Sequence, residues 1–532
     1  MYRIIHCDKD AYITNKIVRS SKTTDSRSIY ANTGEASTVD IFKLYNETYL
    51  SGTLSGIELS RAFLHFDLAP LRALTGSILN FATSSFKCYM SLTNVYGGEV
   101  VPSNFTLAVH PLAKPFSEGR GFDVIGYRDL DTVNWVTASI TNGIPTPWAI
   151  TGSGATGSIG DSNIDYYVSG TLSIGYVPLV VTQSFPRGDE NLLMDVTSLV
   201  SATLAGLLPD YGYRLSFHPT EEQDTTTRFV KRFASRHSNN LFQHPKLIVN
   251  YNDKVLDVQL DSFFDVTNSV GIYNTYFGQY RNFFSGSTPI TGANSVRLDL
   301  FASHSITYWT SSFSQTHSQS INHLTTSYAY FSMSFTGSQM AVNGLFLTGA
   351  YTAPVVIDSS NLSLIGYLSG ANSITFTPVW KSLDGTKLYS TGSALTVSRI
   401  MGSPSNVAER NFVLVVPNLK SVYTNQEVSR LRVFVQDYNT DVKAYYLPVD
   451  TTSMIYQNSF WRVVHKYTRE VVIPFDLENN STSLSTDGAG MYFDMYMRDL
   501  PTDQVYELEF LIRENGQDYI IQNQGFVFKV TT

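Results

Sequence analysis

The sequence predicts an all-β protein assembled from β-sandwich domains in series. Three observations carry that prediction. Apolar and polar residues alternate wherever the pattern is clean, which is the period of a strand with one buried face. Aromatic residues make up 13% of the 532 residues and charged residues only 15%, with Ser, Thr, Asn and Tyr filling the polar positions. Such a composition suits a pleated, half-buried surface and falls below the usual quarter of charged residues. Helical periodicity, finally, is convincing in one place alone.

The elements follow in order. In "FTLAVHPL", Phe105, Leu107 and Val109 share one strand face. In "YELEFLIREN", Tyr506, Leu508, Phe510 and Ile512 share another, with Glu507, Glu509 and Arg513 opposite. The helix lies in "DVTSLVSATLAGLL" (195–208), where Val196, Leu199, Val200 and Leu204 form a stripe, Asp195 or Thr197 caps the start and Pro209 marks the end. "TGSGATGSIGDSN" (151–163) reads as a flexible inserted loop; it lacks the strand–loop–helix frame and the Lys of a phosphate-binding loop. "SITFTPVWKSLDG" reads as a strand ending in a turn at Asp384-Gly385.

A chain of this length exceeds one hydrophobic core. The expected domains are a jelly-roll-like sandwich with one short helix over 1–253, a second sandwich over 254–353, an Ig-like domain over 354–428 and a C-terminal sandwich over 429–532. No strong internal repeat is visible.

Charge and cysteine usage narrow the function. The net charge is −8, and no run of Lys and Arg exceeds a residue or two, which argues against nucleic acid as a partner. Two cysteines, Cys7 and Cys88, are too few for a secreted disulfide framework, and spacing leaves their pairing open. The start, "MYRIIHCDKDAYITNK", has no signal-peptide pattern, and the longest apolar runs, such as "YVPLVV", have strand length. Assembly in a cytoplasm, without a membrane, is the expectation.

Catalytic patterns do not emerge. The ten histidines are scattered; His304 with His317, or His237 with His244, lack zinc-site spacing. No G-x-S-x-G elbow occurs. Glu118 and Asp123, or Asp189 and Glu190, are neighbours in sequence, but a glycosidase needs two carboxylates facing across a cleft. Asp8 and Asp10, or "DLDTVN" (129–134), offer alternate oxygen ligands for calcium, a pattern that equally serves turns. No enzyme activity, metal or cofactor is expected.

Landmarks then accumulate along the first half: "DKDAYITNK", "SRAFLHFDLAPL" (60–71), "ILNFATSSFKCYMSL" (78–92), "NFTLAVHPL", "PFSEGRGFDVIGYRDLDTVNWVTAS" (115–139), "LLMDVTSLVSATL" (192–204), "DYGYRLSF" (210–217) and "FASRHSNNLFQHPKLIVNY". Their order and spacing over residues 6–252 resemble the DNRLRE-type domain, a jelly-roll β-sandwich of extracellular polysaccharide-binding proteins. His237 departs from the acidic residue that often follows the Ser-Arg pair, and the 140–175 insertion is unusually long. The resemblance implies glycan binding as one function, with Trp135, Trp148, Tyr127 and Arg128 as candidate platform residues; packing of Trp135 in the core is the competing reading.

The C-terminal stretch contains "LRVFVQDYN", "WRVVHKYTREVVIPF", "DGAGMYFDMYMRDLP" and a closing "GFVFKV". It resembles virion structural proteins of large tailed phages, particularly marine and cyanobacterial myophages. Within it Tyr492, Asp494 and Tyr496 share a face, with Met491, Phe493, Met495 and Met497 opposite. The Tyr face is a candidate subunit interface, and an exposed sandwich wall is the alternative. The resemblance implies a virion protein of the tail, baseplate, neck or fibre-attachment region, packed against other virion proteins and copies of itself. A glycan-binding adhesin for host-surface polysaccharide is the alternative.

Overall fold

The computed structural model describes the whole chain apart from residues 20–24, 76–78, 80, 82–84, 99, 126–131, 173–174, 255–261, 277–278, 312–321, 343–344, 362–363, 365–367, 369–370, 393, 400–411, 438–454, 457, 488–489 and 515–516. Within these limits it is a series of β-sandwich modules, as the alternation predicts.

The first module is built on β1 (Tyr2–Thr14), β2 (Thr38–Tyr45), β3 (Ile57–Phe66), β4 (Lys87–Leu92), β5 (Phe105–Pro111) and β6 (Val181–Phe185). It is completed by β7 (Leu192–Asp195), helix α1 (Thr197–Leu204), β8 (Tyr213–Phe217), β9 (Arg228–Ala234) and β10 (Lys246–Asn250). β1 belongs to both layers. Its register shifts at a bulge between Cys7 and Lys9. Residues 2–6 pair with β10 in the layer β7–β4–β10–β1, and residues 7–14 pair with β3 in the layer β1–β3–β8–β5–β6. β2 pairs with β3 and β9. A bulge bends a strand, and here it lets one strand turn a corner of the sandwich.

The alternating residues meet between those layers. Phe105, Leu107 and Val109 are buried as predicted, with Phe105 stacked on Phe185 at 5.0 Å. Burying side chains of this size contributes about 1.5–3 kcal/mol each, before the cost of ordering them. Cys7 and Cys88 lie in the same core as free thiols. α1 buries Leu199, Val200 and Leu204, and Val196 just before it is also buried; the Asp195 carboxylate accepts from the Thr197 amide at 3.0 Å. The helix is shorter than the pattern suggests and gives way to Gly206 at φ 75° before Pro209 is reached. Two further one-turn helices, Ala69–Arg72 and Pro219–Gln223, carry Pro in their first turn and are too short to show periodicity.

The predicted flexible loop at 151–163 is fastened instead. The buried Asp165 carboxylate accepts from the amides of Ala149 (2.7 Å), Ile150 (3.1 Å) and Ala155 (2.9 Å), and Lys114 lies 3.3 Å away. A carboxylate fixed by three amides ties a Gly-rich segment down where its composition alone would leave it loose.

The middle module contains β11 (Thr267–Tyr273), β12 (Val296–Ser311), β13 (Asn322–Val342), β14 (Leu345–Val356), β15 (Ser373–Lys381) and β16 (Leu395–Ser398). They run β16–β15–β12–β13–β14–β11 in one sheet, and one core joins Phe264, Leu298, Tyr351, Trp380 and Val397. The boundary expected at 353/354 therefore falls inside β14, within a single module. Its strands pair across long sequence separations, as at Leu298 opposite Trp380, which local pattern does not reveal. The turn at Asp384-Gly385 is present, with Gly385 at φ 73°.

The last module opens earlier than 429, at β17 (Phe412–Val415). It continues through β18 (Val428–Asp437), β19 (Ser459–His465), β20 (Gly490–Tyr496), β21 (Gln504–Glu514) and β22 (Val527–Thr531). β17–β18–β20 form one layer and β22–β21–β19 the other. Trp461 stacks on Phe493 at 4.6 Å between them. The Tyr506 hydroxyl donates to the Pro501 carbonyl at 2.6 Å, closing the corner into β21 as in Ig-type sandwiches.

One face of β21 differs from expectation. Glu507 and Glu509, predicted opposite the core, are wholly buried. Arg462 and Lys466 cover them from β19 and its end, and Arg469 from the following loop, with contacts of 2.5 Å (Arg462–Glu509), 3.0 Å (Lys466–Glu507) and 2.6 Å (Arg469–Glu507).

Candidate functional site

Strand β1 also feeds a second core. Met1, Ile5 and Cys7 point into the first module, while Tyr2 and Ile4 join Trp461, Met495 and Leu500 in the core of the last. On β10, Leu247 and Val249 face inward and Ile248 packs against the last module. A strand with apolar residues on both faces is one covered on both sides. Here the second cover is the far end of the same chain.

An ion pair fastens this seam. Arg3 Nε donates to Asp499 Oδ2 at 2.6 Å and Arg3 Nη2 to Oδ1 at 3.1 Å, while the Ile4 amide donates to Oδ2 at 3.2 Å. The two side chains are 4% and 3% exposed. A buried pair persists when its geometry satisfies the remaining polar atoms, and this one is bidentate and further bonded. The Arg3 guanidinium also lies 3.6 Å from the centre of the Tyr496 ring. His6 Nε2 sits 3.3 Å from the Asp499 carbonyl, and burial pushes that imidazole down to about 4.

Three of the sequence landmarks converge on a second node. Arg236 donates through Nε and Nη2 to both oxygens of Glu118, each at 2.6 Å. The Asp10 amide donates to Glu118 at 2.8 Å, and the Arg236 amide donates to the Asp10 carboxylate at 2.7 Å. Burial pushes the Asp10 carboxyl up to about 7, while the Arg236 amide pulls the other way. Asp10, Glu118 and His237 offer ligand atoms within 4.8 Å of one another, the oxygen-rich set of a hard cation. The Arg236 guanidinium already occupies Glu118 on both oxygens, so the node works as a cross-brace with arginine as its cation. Asp8 does not join Asp10; its carboxylate is 2.6 Å from His65 Nδ1.

Asn32 completes the brace. Fully buried, it donates to the carbonyls of Glu118 and Val133 and accepts from the amides of Gly34 and Gly121. A Cβ at Gly121 would stand 1.8 Å from the Asn32 carbonyl oxygen, so only glycine permits the approach.

The two candidate tryptophans do not form an exposed platform. Trp148 is 4% exposed, stacked on Phe63 at 5.1 Å, with its indole N–H donating to the Asn134 carbonyl at 2.9 Å. Trp135 packs against the same small core, 5.4 Å from Arg61 and hard against Gly152. Tyr127, Arg128 and the first residues of "DLDTVN" lie outside the described residues. Arg61 itself is held by Glu222 at 2.6 Å, and Glu222 reaches Arg214 at 3.3 Å. Sequence reading did not single out this buried triad, whose Arg61 lies far along the chain from Arg214 and Glu222.

On β20, Met491, Phe493 and Met495 are buried as the alternation predicts, and so is Met497 just beyond its end. The opposite face is engaged within the chain. Asp494 is paired with Arg430 at 2.8 Å, Tyr492 lies under Arg430 at 4.2 Å, and Tyr496 lies under Arg3. What the sequence suggested as a contact between subunits is, at Tyr496, a contact between the chain's own first and last modules.

These features define a class: an all-β chain of serial sandwich modules whose ends are fastened together. No protein-family model and no curated protein matches the chain. Among solved structures it is similar to fibronectin(III)-like modules of Clostridium thermocellum CbhA, at 11% identity over 52% of this chain and 90% of that one, with a TM-score of 0.14. It is also similar to the FN1-FN3 domains of chicken CNTN1 (8% identity, 59% and 87% coverage, TM-score 0.13). A third likeness is to Salmonella alpha-2-macroglobulin (9% identity, 98% and 30% coverage, TM-score 0.12).

Proposed function

We propose that the chain is a structural protein of a tailed-phage virion, placed in the tail, baseplate, neck or fibre-attachment region, and that it works by packing against other subunits. The observation that carries this reading is the seam between the first and last modules. A fully buried bidentate ion pair between residues 496 positions apart and a shared core join the first and last modules, which makes a stiff block from modules that could have been strung on linkers. Stiffness of that kind serves a connector that transmits force, where many modest contacts multiply by symmetry. The first module, with its DNRLRE-type landmarks, then acts as scaffold, its Trp148 committed to packing and its Asp10–Glu118–Arg236 node bracing loops.

The test is electron microscopy of intact particles from a producing culture, with mass spectrometry of the same preparation. Repeated copies at a tail or neck position, in density that the joined first and last modules fit as one body, are expected. Absence of the chain from purified particles would overturn the reading. Copies hanging free with the first module at the tip would move it to the glycan-binding adhesin, to be tested against acidic polysaccharides.

A further inference from the structure

The long insertion of the first module covers a face that the seam and the cross-brace do not use. Between β5 and β6 the chain folds over the layer β1–β3–β8–β5–β6, where Ala11, Ile13 and Phe63 meet Val133, Ala138 and Trp148 in a core of their own. Arg214 on β8 stands opposite His110 on β5 and opposite Phe63 on β3. Arg61 precedes Phe63 by two residues, so all four share this face. Tyr166 of the insertion lies against two of them, its ring centre 4.4 Å from the Arg214 guanidinium and 4.9 Å from the His110 ring. Arg61 Nη1 donates to the Gly152 carbonyl at 2.6 Å, which brings Ser153 to the same place.

Two imbalances coincide there. Ten buried side-chain polar atoms have no hydrogen-bond partner among the described residues, and three of them are Arg214 Nε, His110 Nδ1 and Ser153 Oγ. Their residues are 1%, 2% and 0% exposed. Native folds seldom leave one such group unpaired, because its lost hydration is not repaid. Charge is the second imbalance. Arg61 and Arg214 share the Glu222 carboxylate, at 2.6 Å and 3.3 Å, so two guanidinium charges meet one negative charge. Asp165, the other carboxylate under the insertion, is already taken by three amides and Lys114. Burial, with the Arg61 charge behind it, pushes the Arg214 guanidinium down, and burial, then Arg214, pushes His110 to about 3. The imidazole is therefore neutral and has one N–H to place.

All three unpaired atoms can donate together: the guanidinium Nε–H always, the hydroxyl by rotation, the imidazole with its proton on Nδ1. A water molecule offers two lone pairs, brings two hydrogens that need acceptors, and leaves the excess charge as it was. An anion accepts from all three and cancels the charge. We propose that this seat binds a small monovalent anion of the chloride class, held by Arg214 Nε, His110 Nδ1 and Ser153 Oγ and clasping the insertion to the sheet. Burial this complete admits only an ion small enough to be enclosed, not a carboxylate attached to a polysaccharide. The site stands or falls independently of the virion reading.

Crystals of the full-length protein grown in sodium bromide, measured at the bromine absorption edge, locate the ion directly. An anomalous peak in contact with Arg214 Nε and His110 Nδ1 is expected. Density there without an anomalous signal, as from a water molecule, or no density would overturn the proposal. In solution, melting in sodium chloride is compared with melting in sodium gluconate at equal ionic strength, whose anion is too large to be enclosed. The first module is expected to melt about 2–4 °C higher in chloride, with a gain that saturates. Ser153 has φ 58°, a conformation that Asp tolerates, so Ser153→Asp brings a carboxylate to the seat. That variant is expected to lose both the bromide peak and the difference between the salts. A wild type that melts alike in both salts, or a folded Ser153→Asp protein that keeps the peak, would overturn the proposal; if the variant does not fold, the wild-type peak decides.

Discussion

The first and last modules and the stretch from Leu300 to Ile357 in the middle module treat charge in opposite ways. At the seam and in the Arg61–Glu222–Arg214 node charged side chains are taken out of water, and in the Asp10–Glu118–Arg236 node they are partly withdrawn from it, each with its partner at hydrogen-bond distance. From Leu300 to Ile357 in the middle module there is no Asp, Glu, Lys or Arg at all. A buried ion pair adds little net stability over a well-packed apolar pair, but it severely penalises any arrangement in which one partner is missing. Such pairs specify where a chain meets itself. A stretch without formal charge sets no such condition.

The strongest way to break this comparison is Asp499→Ala. It leaves the Arg3 guanidinium buried without its counter-charge and is expected to cost about 3–5 kcal/mol in denaturant unfolding. The double variant Arg3→Met/Asp499→Leu is expected to recover most of that loss. A single variant that unfolds like the wild type would remove the seam from the argument.

Acidification sharpens the comparison next. An unfolded histidine titrates near 6.5. Burial holds His6 down at about 4, so between those values the unfolded chain carries one more proton than the folded one. Stability is then complete above pH 6.5 and falls as pH drops toward 4, by roughly 1.4 kcal/mol per pH unit for that proton. His110, pushed to about 3 mainly by burial, acts in the same direction. Asp10, raised to about 7 by burial, acts oppositely. The difference between wild type and His6→Gln isolates the seam: the variant is expected to lose less stability between pH 6.5 and 4.

Tyr506→Phe comes third. It removes one buried neutral hydrogen bond and leaves the Pro501 carbonyl unpaired, with an expected cost of about 1–2 kcal/mol by thermal unfolding.

The contrast also explains what was legible in the sequence. Strand faces were, because alternation is local: Phe105, Leu107 and Val109, or Met491 to Met497, need no knowledge of their partners. The helix was, apart from its end at Gly206. What depended on distant pairing was not. Glu507 and Glu509 alternate as a solvent face does, and only Arg462, Lys466 and Arg469, some forty residues away, turn that face into a covered one. The division at 353 failed because β12 finds β15 across β13 and β14. Asp10, Glu118 and Arg236 each sat in a quoted landmark, yet their convergence is a property of the folded sandwich. Trp148, a candidate platform by residue type, is a core residue by position.

The seam also has a consequence in time. Arg3 and Asp499 are separated by 496 positions, so on a ribosome adding about 5–20 residues per second the arginine waits roughly half a minute to a minute and a half for its partner. Until then Tyr2 and Ile4 have no second core to enter. A nascent or prematurely terminated chain therefore displays an apolar, positively charged edge on its first module. Once the last module has folded against it the edge is hidden, so the seam reports that synthesis has passed Asp499.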